Sequence, residues 1–423
     1  MISLCISLAI VIHGVQGFTA ETSNLPIPPQ VNQPDSLIPN RLFGITLDDV
    51  SKEKQETIIE QLQLIRAKHP NMPAPMIRIV LDVDNKESIA SVNKDYIDII
   101  QEIKNKKLAF IMAEILDSYA FHFCAKRTDK DGDIKCYLQR TEKCFSALRA
   151  FIDVWEIGNE INGQWTGGTS GELDGKDAFT DEKQAARKRA RESVIRQIKA
   201  AYDFLEDKHA KTALTFYFND DGERHSWSDI KDDQEYSVMT WLSKYKSTFP
   251  HVDYVLISFW PDDNFAKDEK TGLRTSIRPT AGRWAQIFKQ IQHDYPEAKV
   301  GFGEVGVQCK YRKNSCVPLE DAKGDCKDRN CDCCLKAQKT SAQEYYGVLD
   351  RSIRSLLSNE YGSKYGQAFI GGYFYWQFND DVINKLAAAK REGNLNKRRL
   401  LEQQATATRD AILNAYYDDS SQE

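Results

Sequence analysis

Short apolar strands that end in polar residues alternate with amphipathic helical segments from Arg41 onward, and this pattern predicts an α/β fold of the (β/α)8 TIM barrel class. Two further observations support it. The turn after the first strand, Phe43-Gly44-Ile45-Thr46-Leu47-Asp48-Asp49, has no Gly-rich phosphate fingerprint of the kind a doubly wound open sheet would carry there. No break in composition divides the 423 residues, and a hydrophobic content of 41% is enough for one large core.

Ahead of the barrel, residues 1–17 read as a signal peptide, with an apolar core from Leu4 to Ile12 and a small-residue site at Val15-Gln16-Gly17. The run carries no Lys or Arg before its apolar core and is too short to span a bilayer comfortably, so no stable membrane insertion is expected. Residues 18–40, rich in Pro, Asn and Gln and without a period, read as an extended arm. Residues 41–423 are expected to form one catalytic domain.

The strands expected in that domain are Leu42–Leu47, Met76–Leu81, Leu108–Leu116, Ile152–Gly158, Ala213–Phe218, Tyr254–Trp260, Lys299–Gly303 and Ala368–Trp376. Between them lie helical segments at Lys52–Lys68, Ser91–Lys104, Glu182–Leu205, Tyr236–Ser247, Ala281–His293 and Thr340–Leu357. Ala387–Tyr417 reads as a long closing helix or a helix pair. Pro70 follows the first helix where a breaker belongs.

Of ten cysteines, Cys5 would leave with the signal peptide. The others fall into two clusters, Cys124, Cys136 and Cys144 after strand 3, then Cys309, Cys316, Cys326, Cys331, Cys333 and Cys334 after strand 7. In a secreted chain such clusters predict disulfides in two cysteine-rich loop insertions, with one thiol left over. The rival is zinc held by Cys331, Cys333 and Cys334, but that spacing matches no paired Cys-x-x-Cys arrangement. A net charge of −5, with basic and acidic residues intermingled, gives no reason to expect nucleic acid or an anionic membrane as partner.

Reactive groups of a barrel lie at the C-terminal ends of its strands. Reading those ends gives Asp48 and Asp49, Arg78 and Asp82, Glu114 and Asp117, Asn159 and Glu160, Asn219 to Asp221, Trp260 with Asp262 and Asp263, Glu304, and Trp376. The fourth strand, ending Trp155-Glu156-Ile157-Gly158-Asn159-Glu160, is an apolar run that stops at an amide beside a carboxylate. Burial raises a carboxyl pKa, so Glu160 fits a general acid.

This set resembles clan A of the glycoside hydrolases at Asn159-Glu160, Glu304, Trp376 and Arg78. The resemblance covers Phe43 to Phe378. It implies a (β/α)8 barrel with Glu160 as acid/base, Glu304 as nucleophile, Arg78 beside the nucleophile and Trp376 as an aromatic platform; Trp260 and Trp165 join as candidate sugar-binding residues. Carboxylates that approach to ~5 Å across the mouth would act by double displacement with net retention. Asn159 would then donate to the sugar 2-hydroxyl. Many clan A enzymes also carry a tyrosine near strand 6 that bonds the nucleophile, but Ile257-Ser258-Phe259-Trp260-Pro261 has none; Trp260, Tyr217 and Tyr375 are the candidates for that place.

The bland readings are distinct. Glu160 and Glu304 could each be structural acids, Arg78 could serve only to neutralise Glu156, and Trp376 could be plain core packing. His122 and His225 are candidates only as loop residues past strand ends. The expected function is a secreted or periplasmic, monomeric, retaining β-glycoside hydrolase acting on an oligo- or polysaccharide, with no cofactor and no metal. A non-catalytic carbohydrate-binding barrel is the alternative.

Overall fold

The computed structural model describes residues 38–83, 89, 91–125, 132–163, 166, 181–218, 237–260, 265–267, 274–276, 279–306, 311–312, 317–318, 336, 340, 343–376 and 378–420. The expected signal peptide, nearly all of the arm, Trp165, His225, Asn219 to Asp221, Asp262, Asp263 and the six later cysteines lie outside the described residues, as does the side chain of His122.

Eight parallel strands close into a barrel in sequence order: β1 (Leu42–Leu47), β2 (Met76–Val80), β3 (Phe110–Glu114), β4 (Val154–Gly158), β5 (Thr212–Tyr217), β6 (Tyr254–Phe259), β7 (Lys299–Val305) and β8 (Phe369–Tyr375), which pairs back with β1. The expected TIM barrel is the observed fold. The strands are buried on both faces because both are covered, and they are mostly apolar, with polar residues toward their C-terminal ends. Leu42, Met76, Met112, Val154, Ala213, Tyr254, Leu256, Ile370 and Phe374 fill the interior. Their neighbours, such as Phe43, Ile77, Ile111, Leu214 and Phe302, face the surrounding helices and form the main core.

The helices that cover the strands are α1 (Lys52–Lys68), α2 (Lys94–Asn105), α3 (Gly132–Leu148), α4 (Asp181–Asp207), α5 (Val238–Tyr245) and α6 (Ala281–Asp294), then α7 (Asp350–Leu356) flanked by wider π turns. Asn93 caps α2 by accepting from Asp95 N–H, and Thr280 caps α6 by accepting from Arg283 N–H. The C-terminal segment is a helix pair, α8 (Asn384–Arg391) and α9 (Leu395–Ser420). Tyr416 and Tyr417 of α9 pack on Phe43 of β1, with ring centroids 5.0 and 5.9 Å away. Arg41 lies over Tyr416 and pairs with buried Asp350 at 3.2 Å, tying the start of β1 to α7 and α9.

α3 occupies a stretch that reads from sequence as a cysteine-rich insertion. It is an ordinary barrel helix whose buried face carries Tyr137, Arg140, Cys144 and Leu148. Buried Arg140 donates to the carbonyls of Leu81, Ile89, Ser91 and Ile115, fastening the segments that follow β2 and β3. Cys136 in α3 is bonded to Cys124, while Cys144 is buried and free. Among the described residues no helix is long and apolar enough to cross a membrane.

Two strands break the alternation of inward and outward residues where the site is built. On β7, Phe302 pairs with Ile257 and Val305 with Phe259, so Gly303 and Glu304 together oppose Ser258. This β-bulge turns both residues inward. A Cβ on Gly303 would stand 2.7 Å from Thr215 Cγ2, so the inward bulge needs glycine. On β4 the step from Glu156 to Gly158 matches a single step from Ala213 to Leu214. Gly158 there faces outward, where a Cβ would lie 2.7 Å from Ile161 Cγ2. The Gly303→Ala variant is expected to lose about 1–3 kcal/mol by overpacking against Thr215, read as a lower urea midpoint at unchanged slope; a midpoint equal to wild type would contradict this account of the bulge.

Candidate active site

The C-terminal mouth of the barrel is organised by Arg78. Its side chain is fully buried inside β2, and each of its nitrogens meets a different carboxylate. Nε lies 2.5 Å from Glu156 Oε2 on β4, Nη2 2.7 Å from Glu114 Oε2 on β3, and Nη1 3.0 Å from Glu304 Oε1 on β7. Thr215 Oγ1 donates to the other oxygen of Glu156. The two roles that sequence sets against each other for Arg78, neutralising Glu156 and attending Glu304, are therefore both filled by one guanidinium.

Glu304 also accepts a 2.8 Å hydrogen bond from Asn159 Nδ2. The amide expected to face a sugar hydroxyl thus spends one donor on the neighbouring carboxylate, and its Oδ1 is left without a partner. Glu160, the next residue, is 7% exposed and its Oε1 makes no hydrogen bond within the protein. Ser258 Oγ lies beside the Glu160 carboxyl and favours its ionised form, though the contact falls short of good hydrogen-bond geometry. Thr46 Oγ1 on β1 is likewise buried and unpartnered. Buried polar groups are nearly always satisfied, so such a set at one end of a barrel is what a site awaiting a polar ligand or water shows.

The electrostatics follow from burial with unequal partners. Desolvation pushes the Glu160 carboxyl well above its ordinary range, and the nearby charges of Glu304 and Asp117 add to this, while Arg78 opposes it. Desolvation also pushes Glu304 up to about 7, with Arg78 and the Asn159 hydrogen bond pulling the other way. Glu114 is raised well above the carboxylate range, burial outweighing its contact with Arg78. Burial alone would lower the Arg78 pKa, but Glu114, Glu156 and Glu304 hold it charged. Glu304 has a cation and an amide donor, whereas Glu160 Oε1 has neither, so of the two the shared proton belongs on Glu160.

The aromatic candidates also meet at the mouth. Trp260 and Trp376 form an edge-to-face pair with centroids 6.5 Å apart, and the Trp376 ring covers the Arg78 guanidinium at 5.4 Å. Trp376 keeps part of its surface exposed, so it is not plain core packing. Tyr375 is excluded as the tyrosine that would attend Glu304, because it faces the outer core and its hydroxyl donates to Asp381 Oδ2 at 2.9 Å. Tyr217 is buried and in phase with inward Thr215 on β5.

Glu114 and Asp117 stand out in the sequence only as strand ends, and nothing local in it marks Thr215. Counting by twos from inward Leu256 would have placed Ser258 inside the barrel. Among the described residues no group of three or more His, Cys, Asp or Glu is arranged to hold a metal.

No protein-family model matches the chain, and no curated protein sequence matches it. Solved structures similar to it include a family 1 beta-glucosidase from Exiguobacterium antarcticum, 12% identical over 80% of this chain and 88% of that one, with a TM-score of 0.46. The Thermotoga maritima family 1 beta-glucosidase gives the same four values. Bacteroides uniformis beta-glucuronidase 2 is 11% identical over 79% of this chain and 30% of its own, with a TM-score of 0.43. Likeness this distant decides nothing about activity.

A raised carboxyl pKa favours the protonated folded state, so the contribution of Glu160 to stability is full below its unfolded value of 4.5 and is lost as pH rises through its folded pKa. Glu160→Gln removes that loss. Thermal melting is expected to give the variant a higher Tm than wild type at alkaline pH, with the gap closing as pH falls to about 4; a gap independent of pH would contradict the assignment.

Proposed function

We propose that the chain is a secreted, retaining β-glycoside hydrolase that cleaves an oligo- or polysaccharide by double displacement. The observation that carries this reading is the asymmetry of the two carboxyl groups at the mouth. Glu304 is held by Arg78 and Asn159, while Glu160 is buried with its Oε1 unpartnered.

In the first step Glu160 gives its proton to the glycosidic oxygen as that C–O bond breaks, and a Glu304 oxygen forms an ester bond to the anomeric carbon. In the second step Glu160 takes a proton from water, the water oxygen bonds the anomeric carbon, and the Glu304 carboxylate leaves. Two inversions give net retention. Arg78 disperses negative charge on Glu304 as it departs. Trp376 and Trp260 offer apolar faces for sugar rings, and Asn159 Oδ1 is available to accept from a sugar hydroxyl. The N-terminal apolar run and the Cys124–Cys136 bond support export, since disulfides persist in oxidising compartments.

The test is hydrolysis of a panel of aryl β-glycosides and polysaccharides, with NMR of the first-formed anomer. The β anomer is expected, and Glu304→Gln should lower kcat by roughly a thousandfold or more while retaining glycan affinity. An α anomer as first product would sink double displacement. Glycan binding by a wild type that turns nothing over would favour the carbohydrate-binding alternative.

A further inference from the structure

Glu160 has a backbone φ of +45°, in the left-handed region that side-chain-bearing residues seldom adopt. Such a conformation costs on the order of 1–3 kcal/mol and persists only where its surroundings enforce it. Its effect here is directional. Asn159 faces inward, since it bonds Glu304, so a regular extended chain would send the next side chain to the outer face. The left-handed turn at Glu160 instead keeps its carboxyl in the mouth, where it senses Glu304, Asp117, Arg78 and Ser258.

The residues just beyond hold that turn. Glu160 O accepts from Gly163 N–H at 2.7 Å and from Thr166 Oγ1 at 2.9 Å. Ile161 N–H reaches Thr215 O at 3.3 Å, extending the pairing with β5 by one bond. Asn162 completes the dock: its Oδ1 accepts from Tyr217 N–H at 2.7 Å and its Nδ2 donates to Tyr217 O at 2.8 Å, so the side-chain amide pairs with the end of β5 as a strand would. Asn162 and Thr166 are each only 1% exposed. Thr166 meets Glu160 at its backbone carbonyl, and Asn162 holds the chain two residues further on against β5.

We infer that Thr166 and Asn162 are positioning residues that hold the acid/base carboxyl of Glu160 in the mouth by fixing its left-handed backbone. Thr166 secures the carbonyl of Glu160 and Asn162 anchors the following turn to β5. This rests on the glycosidase reading above. It predicts a particular kinetic defect: loss of either anchor should impair proton transfer by Glu160 while leaving attack by Glu304 intact.

Leaving groups of different basicity separate the two. A dinitrophenyl glycoside departs without protonation, whereas a phenyl glycoside needs the acid, and general acid catalysis typically contributes ~100-fold or more. For Thr166→Val, kcat/KM on the phenyl β-glycoside should fall at least about tenfold while kcat/KM on the dinitrophenyl β-glycoside stays within about threefold. Azide, which attacks the glycosyl-enzyme without general-base help, should restore kcat on the dinitrophenyl substrate and yield the β-glycosyl azide. Thr166→Ser, which keeps the hydroxyl, should recover most of the phenyl-glycoside rate, and Asn162→Ala should repeat the Thr166→Val pattern. Equal losses on both substrates, no loss on either, or melting of both Thr166→Val and Asn162→Ala below the assay temperature would overturn the positioning role and leave the glycosidase reading standing. A folded wild type inert on both aryl glycosides and on the wider glycan panel would overturn both.

Discussion

One guanidinium facing three carboxylates, sealed inside the barrel, is the constraint on which the mouth depends. Arg78 is divided among Glu114, Glu156 and Glu304, and burial raises the pKa of Glu114 and of Glu304 despite it. The remaining partners of each carboxylate differ. Glu156 has the Thr215 hydroxyl in addition to the guanidinium, and Glu304 has the Asn159 amide. Glu114 meets the guanidinium through Oε2 alone, its Oε1 having no partner, and its pKa is driven well up. Glu114 and Glu156 thereby hold the guanidinium from two sides, which fixes the height at which its third edge meets Glu304. A buried ion cluster of this kind is weak evidence for stability. Its effect is to define position and charge at the strand ends.

The position of Glu304 also depends on a departure from sheet regularity. In an unbroken β7 the outward phase of Phe302 would put Gly303 inside and Glu304 among the helices. The bulge opposite Ser258 lets both face the axis. β4 reaches a similar end by other means, a register shift at Gly158 followed by the left-handed turn at Glu160. On β7 the residue that carries chemistry stands where simple alternation would not have put it, whereas on β4 the register shift takes Glu160 out of the inward phase set by Val154 and Glu156 and the left-handed turn restores it.

This explains what was legible in the sequence. The eight strands could be read because a parallel strand covered on both faces is apolar throughout, and that signal survives local irregularity. Their ends were less clear. Leu108 and Leu116 are as buried as the strand between them, so the apolar run overstates the hydrogen-bonded part of β3. α3 was obscured because Cys124, Cys136 and Cys144 suggested a stapled loop, although Tyr137, Arg140, Cys144 and Leu148 recur at helical spacing. Glu160 and Glu304 were found by their place at strand ends, which does not require knowing which way each side chain points. The Asn159 to Glu304 hydrogen bond, the division of Arg78 among three acids and the anchoring of Glu160 by Thr166 join residues far apart in sequence or depend on one backbone angle, and no local pattern encodes them.

The mouth combines several features that each work against folding: a left-handed glutamate, carboxyl groups with raised pKa values, and unpartnered polar atoms on Thr46, Asn159, Glu160 and Ser258. They lie at one end of the interior, above a buried layer of apolar side chains that includes Leu42, Met76, Leu256 and Phe374. The outer core is large and regular by contrast, with Trp284 packed among Phe218, Phe259, Phe288 and Phe302. Phe302 belongs to that cluster, and it immediately precedes the bulge that aims Glu304. The aromatic packing outside β7 therefore fixes the last regular residue before the irregular one. A site whose polar atoms lack partners, set on a scaffold this well packed, is shaped to be completed by a polar ligand or water.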